Sequence, residues 1–278
     1  MNRRIIQINE CQPNQTIWKG HKIFAVDGSK INLPRTLINK GFFMAGTAKN
    51  PQGMISTLYQ LQSKMPYDFD LVQHSDERLC AISHLSALQI DDVVVYDRGY
   101  FSYLMLFKHV ESGVHAIFRL PPNSYSQIEA FMAQSMIDDT VIIIDPSRQI
   151  RESIAKKNPE IIIKPLSLRL IKYRYKETEY TLGTTLMSSV YSTTDFSDVY
   201  HSRWGIEELY KISKKHIEVD DFHGRTERKI RQELYAHFVM ITISRLFANQ
   251  SEIEKNSGLI DQSVKTDKEL KFVSRPLN

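Results

Sequence analysis

The sequence predicts an α/β fold, a mixed β-sheet flanked by helices with a β-rich insertion ahead of a late charged helix. Three observations carry this. Short apolar runs near the N-terminus alternate at period two, as half-buried strands do. Val93-Val94-Val95-Tyr96 is apolar enough to be buried on both faces, as a central strand is. Helical periodicity lies between these runs and returns after residue 190.

The elements follow in order. His21-Lys22-Ile23-Phe24-Ala25-Val26-Asp27 reads as a strand ending at the Asp27-Gly28-Ser29 turn. Met54 to Leu61 and Tyr67 to Val72 alternate apolar and polar, and with the first run suggest an antiparallel meander. Ser75-Asp76-Glu77-Arg78 opens a helix to about Leu88, with Leu79, Ile82, Leu85 and Ala81 or Leu88 facing inward. A strand over Asp92–Asp97, a helix over Ser102–Val110 and a strand over His115–Leu120 complete the order β-β-β-α-β-α-β. This is the order of the ribonuclease H-like fold, although other α/β folds share it. Past Pro121-Pro122, strands are expected over Thr140–Asp145, Leu168–Tyr175 and Tyr180–Met187. One helix should run from Thr194 to about His216 and another from Glu227 to Asn249, the latter burying Leu234, Phe238, Ile241, Ile243 and Leu246. From Ser251 the pattern is charged and patchy, as in a frayed tail. The corresponding division is an arm (1–20), a first part of the main domain (21–120), a β-rich insertion (121–190), a completing helical part (191–250) and a charged tail (251–278).

Composition narrows the function classes. The 278 residues carry a net charge of +4, with 42% hydrophobic and 24% charged residues, as in ordinary soluble proteins. No run of about 18 apolar residues exists to cross a bilayer, no secretory signal opens the chain, and two cysteines make no disulfide framework. A cytoplasmic location is the default. No Walker-type glycine loop is present, so no nucleotide cofactor is implied. Between Ser147 and Glu177 nine Lys/Arg stand against three Glu, interleaved with Tyr173 and Tyr175. Such a stretch is either a solvated basic surface or a DNA-contacting one.

Chemistry concentrates in Tyr200-His201-Ser202-Arg203-Trp204-Gly205-Ile206-Glu207 and the following turns to Lys214. At about 100° per residue, Tyr200, Arg203, Glu207 and Lys214 fall within an arc of about 60°. A carboxylate there can ligate a divalent cation, while Arg and Lys bind phosphates. An Arg–Glu pair at i,i+4 is also a common surface salt bridge. Asp27 and Asp97 each close a strand, the favoured position for sites in α/β folds, though either could be a turn former. Two strand-end aspartates and a helical glutamate suit a pair of Mg²⁺ ions acting on a phosphodiester. Cys80 and His84, at i,i+4, lack a second pair at zinc spacing. His74, His201, His216, His223 and His237 have no identifiable Ser or Cys partner, and Glu208 points about 100° away from Glu207.

The spacing Tyr-x2-Arg-x3-Glu-x6-Lys resembles, without a gap, the signature helix of the insertion-sequence-four transposases, a group of the DDE transposases. Val94-Val95-Tyr96-Asp97-Arg98-Gly99-Tyr100-Phe101-Ser102 is similar to that family's second-aspartate motif, and Phe24-Ala25-Val26-Asp27-Gly28-Ser29 to its first. Phe222-His223-Gly224-Arg225-Thr226 and Arg231 to Ala236 resemble its post-catalytic region. The resemblance spans about residues 20–250. It implies a DNA transposase in which Asp27, Asp97 and Glu207 ligate Mg²⁺, with Mn²⁺ as substitute, and Tyr200, Arg203 and Lys214 contact DNA phosphates. It further implies cleavage at transposon ends, strand transfer to target DNA, and a homodimer that brings two ends together; some members pass through a hairpin intermediate. Family members usually carry a sizeable DNA-binding region before the first aspartate, where about 26 residues stand here. The alternative is therefore a truncated or co-opted fragment that binds DNA or a full-length partner without catalysis.

Overall fold

A computed structural model describes residues 6, 17–42, 44, 50–73, 76–216 and 222–269. Eight strands form one sheet in the order β3-β2-β1-β4-β5-β8-β7-β6. They are β1 (Ile23–Asn32), β2 (Gln52–Gln60), β3 (Met65–Val72), β4 (Val93–Tyr96), β5 (His115–Arg119), β6 (Asp139–Ile144), β7 (Leu166–Tyr175) and β8 (Thr178–Thr184). The first three make the antiparallel meander, and β4 and β5 run parallel to β1. The last three are antiparallel and continue the same sheet, because β8 pairs with β5.

Among the described residues, seven helices longer than one turn cover the sheet. On one face lie α1 (Glu77–His84), α2 (Tyr103–Ser112), α3 (Ser126–Ala133) and α4 (Arg148–Lys157); on the other lie α5 (Thr193–Ser202), α6 (Trp204–His216) and α7 (Glu227–Glu269). The period-two alternation of the strands builds both cores. Ile23, Ala25, Val93, Val95 and Ile117 meet Phe196, Val199, Ile206, Leu209, Leu234 and Phe238. Phe24, Val26, Val94, Tyr96, Ala116 and Phe118 meet Ala81, Met105, Leu106, Ile128, Phe131 and Ile154. The result is three layers, helix on sheet on helix.

Local signals start and stop several helices where the sequence places them. Asp76 and Ser102 accept hydrogen bonds from the N–H groups of Leu79 and Met105 as N-caps. Gly113, at φ 69°, ends α2 in the left-handed conformation that glycine adopts without strain. Ser192 and Asp195 form a reciprocal capping box on α5.

Several expectations need correction. β1 does not end at Asp27-Gly28-Ser29; it continues to Asn32, because β2 pairs with it along its whole C-terminal half. β2 is buried on both faces rather than half-buried, since α1 lies over the side away from α6. On α1, Leu79 is exposed, and Cys80, Ala81 and His84 face inward. His84 earns its buried place through hydrogen bonds with Ser56 Oγ (3.0 Å) and Asp68 Oδ2 (3.2 Å). The region after Pro121 holds two helices, α3 and α4, as well as its three strands. The long helix expected from Thr194 is interrupted at Arg203, and α7 runs on past Asn249 to Glu269, where a frayed tail was expected from Ser251. Ile243 is 40% exposed, outside the buried stripe of α7. His74 and the tail from 270 onward lie outside the described residues. Among the described residues no helix is long and apolar enough to cross a membrane.

Candidate active site

Parallel register brings the two aspartates together. Ile23, Phe24 and Ala25 pair with Val93, Val94 and Val95, so the same offset sets Asp27 beside Asp97 one pleat farther on. Ala25 and Val95 face the α5–α6 layer, and residues two along a strand share a face. β5 adds a third member: Tyr96 pairs with Phe118, which places Arg119 beside Asp97. Its Nη1 lies 3.8 Å from Asp97 Oδ1, and its guanidinium stacks 4.8 Å from the Tyr180 ring centroid.

α5 and α6 bring the remaining groups down onto these strand ends. Phe196, Val199, Tyr200, Ile206, Leu209 and Tyr210 are buried, which fixes the turn at Arg203 against the sheet. Gly205 lets α6 pack closely on the Tyr59 ring, which a Cβ would approach to 3.2 Å. The Tyr200 hydroxyl donates to Asp97 Oδ1 at 3.1 Å. Arg203 Nη2 donates to Glu207 Oε1 at 2.9 Å. The Tyr210 hydroxyl lies 2.8 Å from the Asp27 carbonyl and 3.1 Å from that of Ile55, tying α6 to β1 and β2.

Arg203 is 5% exposed, and such a buried guanidinium persists only where opposite charge surrounds it. Burial works against its charge, but Tyr200, Asp97, Glu207 and Asp27 together raise its pKa above the ordinary value. Asp27, Asp97 and Glu207 thus all favour the charge of this one cation, and Glu207 hydrogen-bonds it. The two aspartates titrate differently. Burial, with Glu77 and Glu207 nearby, pushes Asp27 up to about 6, against the opposing pull of the Gly28 N–H and Arg203. Burial also disfavours charge on Asp97, yet the Arg98 N–H, Arg203, the Tyr200 hydroxyl and Arg119 hold its carboxyl below the usual range.

Of the six site residues expected from sequence, Asp27, Asp97, Tyr200, Arg203 and Glu207 gather at this point. Lys214 does not; its Nζ donates to the Lys30 carbonyl at 2.9 Å, pinning α6 to the distal part of β1. Tyr200 and Arg203 are buried and engaged with carboxylates, while Lys214 is exposed. Among the described residues no group of three or more His, Cys, Asp or Glu stands close enough to hold a metal ion. Sequence reasoning missed Arg119, Tyr210 and Glu77. Arg119 follows from placing β5 next to β4, and Tyr210 lies three residues beyond Glu207 on the same helix. Glu77 has no such signal: its proximity depends on Gly28, where a Cβ would approach Glu77 Cγ to 3.1 Å.

The central order β3-β2-β1-β4-β5, with helices on both faces, is that of the ribonuclease H-like fold. Residues 18–243 match the family described as "Transposase DDE domain", and the chain belongs to that family. It is 23% identical over 174 residues to a probable transposase for insertion sequence element IS5377 of Geobacillus stearothermophilus, covering 60% of this chain and 42% of that protein. A piggyBac transposase, solved by cryo-electron microscopy as a synaptic complex with hairpin DNA, superposes with a TM-score of 0.50 at 10% identity. That likeness is one of fold, over 84% of this chain and 48% of the other. The chain thus spans less than half the length of either.

Proposed function

We propose that this chain is the catalytic core of a DNA transposase of the insertion-sequence-four type, cutting DNA at element ends and joining it to target DNA. The reading is supported by the parallel register that aligns Asp27 with Asp97, and by the Arg203 guanidinium, which Glu207 hydrogen-bonds and whose charge all three carboxylates favour. Asp27, Asp97 and Glu207 are the residues assigned to hold Mg²⁺, for which Mn²⁺ would substitute. The donor set fits in kind: all donors are hard carboxylate oxygens, and the Asp27 pKa is raised by burial first and then by Glu77 and Glu207, so a bound cation would favour its ionised form. When bound, a divalent cation supplies Lewis-acid charge to a phosphodiester and acidifies water.

The chain's own residues do the positioning. Tyr200 orients the Asp97 carboxylate, and Arg119 and Arg203 keep it ionised. Arg203 holds Glu207 beside the strand ends. Lys214 is the exposed cation placed for a DNA phosphate. For Tyr200 and Arg203 to contact phosphate, they must exchange the Asp97 and Glu207 carboxylates for DNA. Residues 121–190 are read as an insertion between the parts bearing Asp97 and Glu207, and the working form as a homodimer joining two ends, with a hairpin intermediate possible by resemblance alone.

One observation favours a second reading, a fragment that binds DNA without catalysis: the acidic groups do not form a ready metal cluster as they stand. Incubating the purified chain with a pre-nicked DNA end and Mg²⁺ or Mn²⁺ separates the two. Catalysis is expected to yield nicking or strand transfer that Asp97→Ala abolishes. Equal activity in both proteins would remove the assignment, and inactivity in both would favour the binding reading.

A further inference from the structure

A groove of about 830 Å³ lies between the Arg35–Leu37 turn and the start of α7, apart from the carboxylates. Its walls carry four cations, Lys40, Arg225, Arg228 and Arg231, against one carboxylate, Glu227. Arg231 is occupied, donating to Asp70 Oδ1 at 2.9 Å and to Glu227 Oε1 at 3.0 Å. Lys40, Arg225 and Arg228 are exposed and have no carboxylate partner among the described residues. Three like charges facing one concavity repel each other, and among the described residues Glu227 is the one carboxylate in the groove wall, already bound to Arg231. The arrangement is held rather than incidental: Thr36 Oγ1 donates to the Arg225 carbonyl at 2.7 Å and ties the two walls together.

Position says what the groove meets. β1 runs from Asp27 to Asn32, about 17 Å at roughly 3.4 Å per residue, and the chain then reaches Thr36 within about 14 Å more. On α6, Lys214 stands about 10 Å beyond Glu207 and docks on Lys30 of the same strand. Lys214 thus stands part of the way along β1 between the carboxylates and the groove. A DNA strand advances about 3.4 Å per phosphate, so a duplex running from the site along β1 would pass the groove within about nine base pairs. Arginine forks match phosphate oxygens two at a time.

We infer that this groove is a second DNA-backbone site, in which Lys40, Arg225 and Arg228 grip phosphates of the duplex flanking the reacting end, without reading its sequence. This rests on the transposase reading for the direction of the DNA, but its test is separate. Binding of the full chain to a 20-base-pair duplex is followed by fluorescence anisotropy across a salt series. The variant K40Q/R225Q/R228Q is compared with K19Q/K64Q/K108Q, which removes equal charge outside both the groove and the basic stretch of residues 147–177. Each lost phosphate contact flattens the slope of log affinity against log salt by about 0.9. The groove variant is therefore expected to lose about 2 to 3 from the slope and at least tenfold in affinity, and the control variant neither. With the pre-nicked end, its KM should rise with kcat retained.

Equal losses in both variants would reduce the effect to net charge and overturn the site, as would a groove variant that binds like the unmodified chain. Should the triple variant not fold, R225Q and R228Q singly must each lower the slope by about 0.9, and unchanged slopes there would also overturn it. A chain that binds duplex through the groove yet never nicks would sink the catalytic reading and leave this one standing. Failure to bind duplex at all would sink both.

Discussion

The Tyr200 hydroxyl donates to Asp97 Oδ1 at 3.1 Å, joining α5 to the end of β4 across 103 residues of chain. Tyr200 is 1% exposed, so its ring packs in the core while its oxygen serves the site. An acid that receives this donor, the Arg98 N–H and two guanidinium charges stays ionised despite burial. The contrast with Asp27, beside it in the sheet but pushed up to about 6, divides two similar side chains by surroundings alone.

Tyr200→Phe removes the donor and keeps the ring. Asp97 is 44% exposed, so water replaces part of the loss, and stability should fall by only about 1 kcal/mol. The Asp97 pKa should rise, visible by carboxyl-carbon NMR titration. An unmoved titration would show that the hydroxyl does not hold the carboxylate.

Arg203→Met leaves Asp27, Asp97 and Glu207 facing one another without their shared cation. Urea unfolding at pH 8 should show a loss of about 2 kcal/mol, below the range for fully buried pairs because Glu207 is 44% exposed. The loss should shrink at pH 5, where protonation of Asp27 relieves the repulsion. Arg203→Lys keeps the charge but not the fork, and should recover stability only partly.

How much was legible follows from the range of each signal. The meander, the buried β4 and the cap in Ser75-Asp76-Glu77-Arg78 announce themselves within a few residues, and the structure shows the meander, β4 and the Asp76 cap. Asp27 and Asp97 stand out in the sequence by their places near predicted strand ends and in the family motifs, though β1 runs on past Asp27. The break at Arg203 was not legible, since its cause is the packing of Tyr200 and Ile206 against distant strands. Nor was the extension of β1 beyond Gly28, where pairing with β2 overrides the turn propensity of Asp-Gly-Ser. Helices α3 and α4 were hidden by neighbouring prolines and β-branched runs, which draw attention to strands. Lys214 sits on the expected helix, but its partner is the Lys30 backbone, which no spacing rule identifies.

Phe238 stacks on Phe69 with centroids 4.0 Å apart and is 1% exposed, holding α7 to β3. Phe238→Ala should lower stability by about 3 to 4 kcal/mol through lost burial and a residual cavity. Amide exchange should rise first in α7. A change below about 1 kcal/mol would mean that α7 docks by other contacts.

Divalent cation binding should be measurable without DNA. At pH 7.5, Mg²⁺ at ten times its dissociation constant should stabilise the chain by about 1.4 kcal/mol, seen as a rise in Tm. Asp27→Asn and Asp97→Asn should each remove that rise. An identical Mg²⁺ response in all three proteins would place the ion elsewhere.

The pH dependence of Asp27 gives the sharpest test of the site's electrostatics. Its pKa is raised from an ordinary 3.8 to about 6 by burial first, and by Glu77 and Glu207. Folding therefore favours the protonated acid. That contribution is fully present below pH 3.8 and is lost as pH rises through about 6. Asn cannot ionise, so Asp27→Asn should be more stable than the unmodified chain at pH 8, by on the order of 2 kcal/mol. The difference should narrow as pH falls through 6 and be nearly gone at pH 4. Cleavage with metal should show the opposite preference, declining below pH 6 as the ligand protonates, and Asp27→Asn should be inactive at every pH. A stability gap constant from pH 4 to 8 would mean that Asp27 does not titrate as its surroundings require.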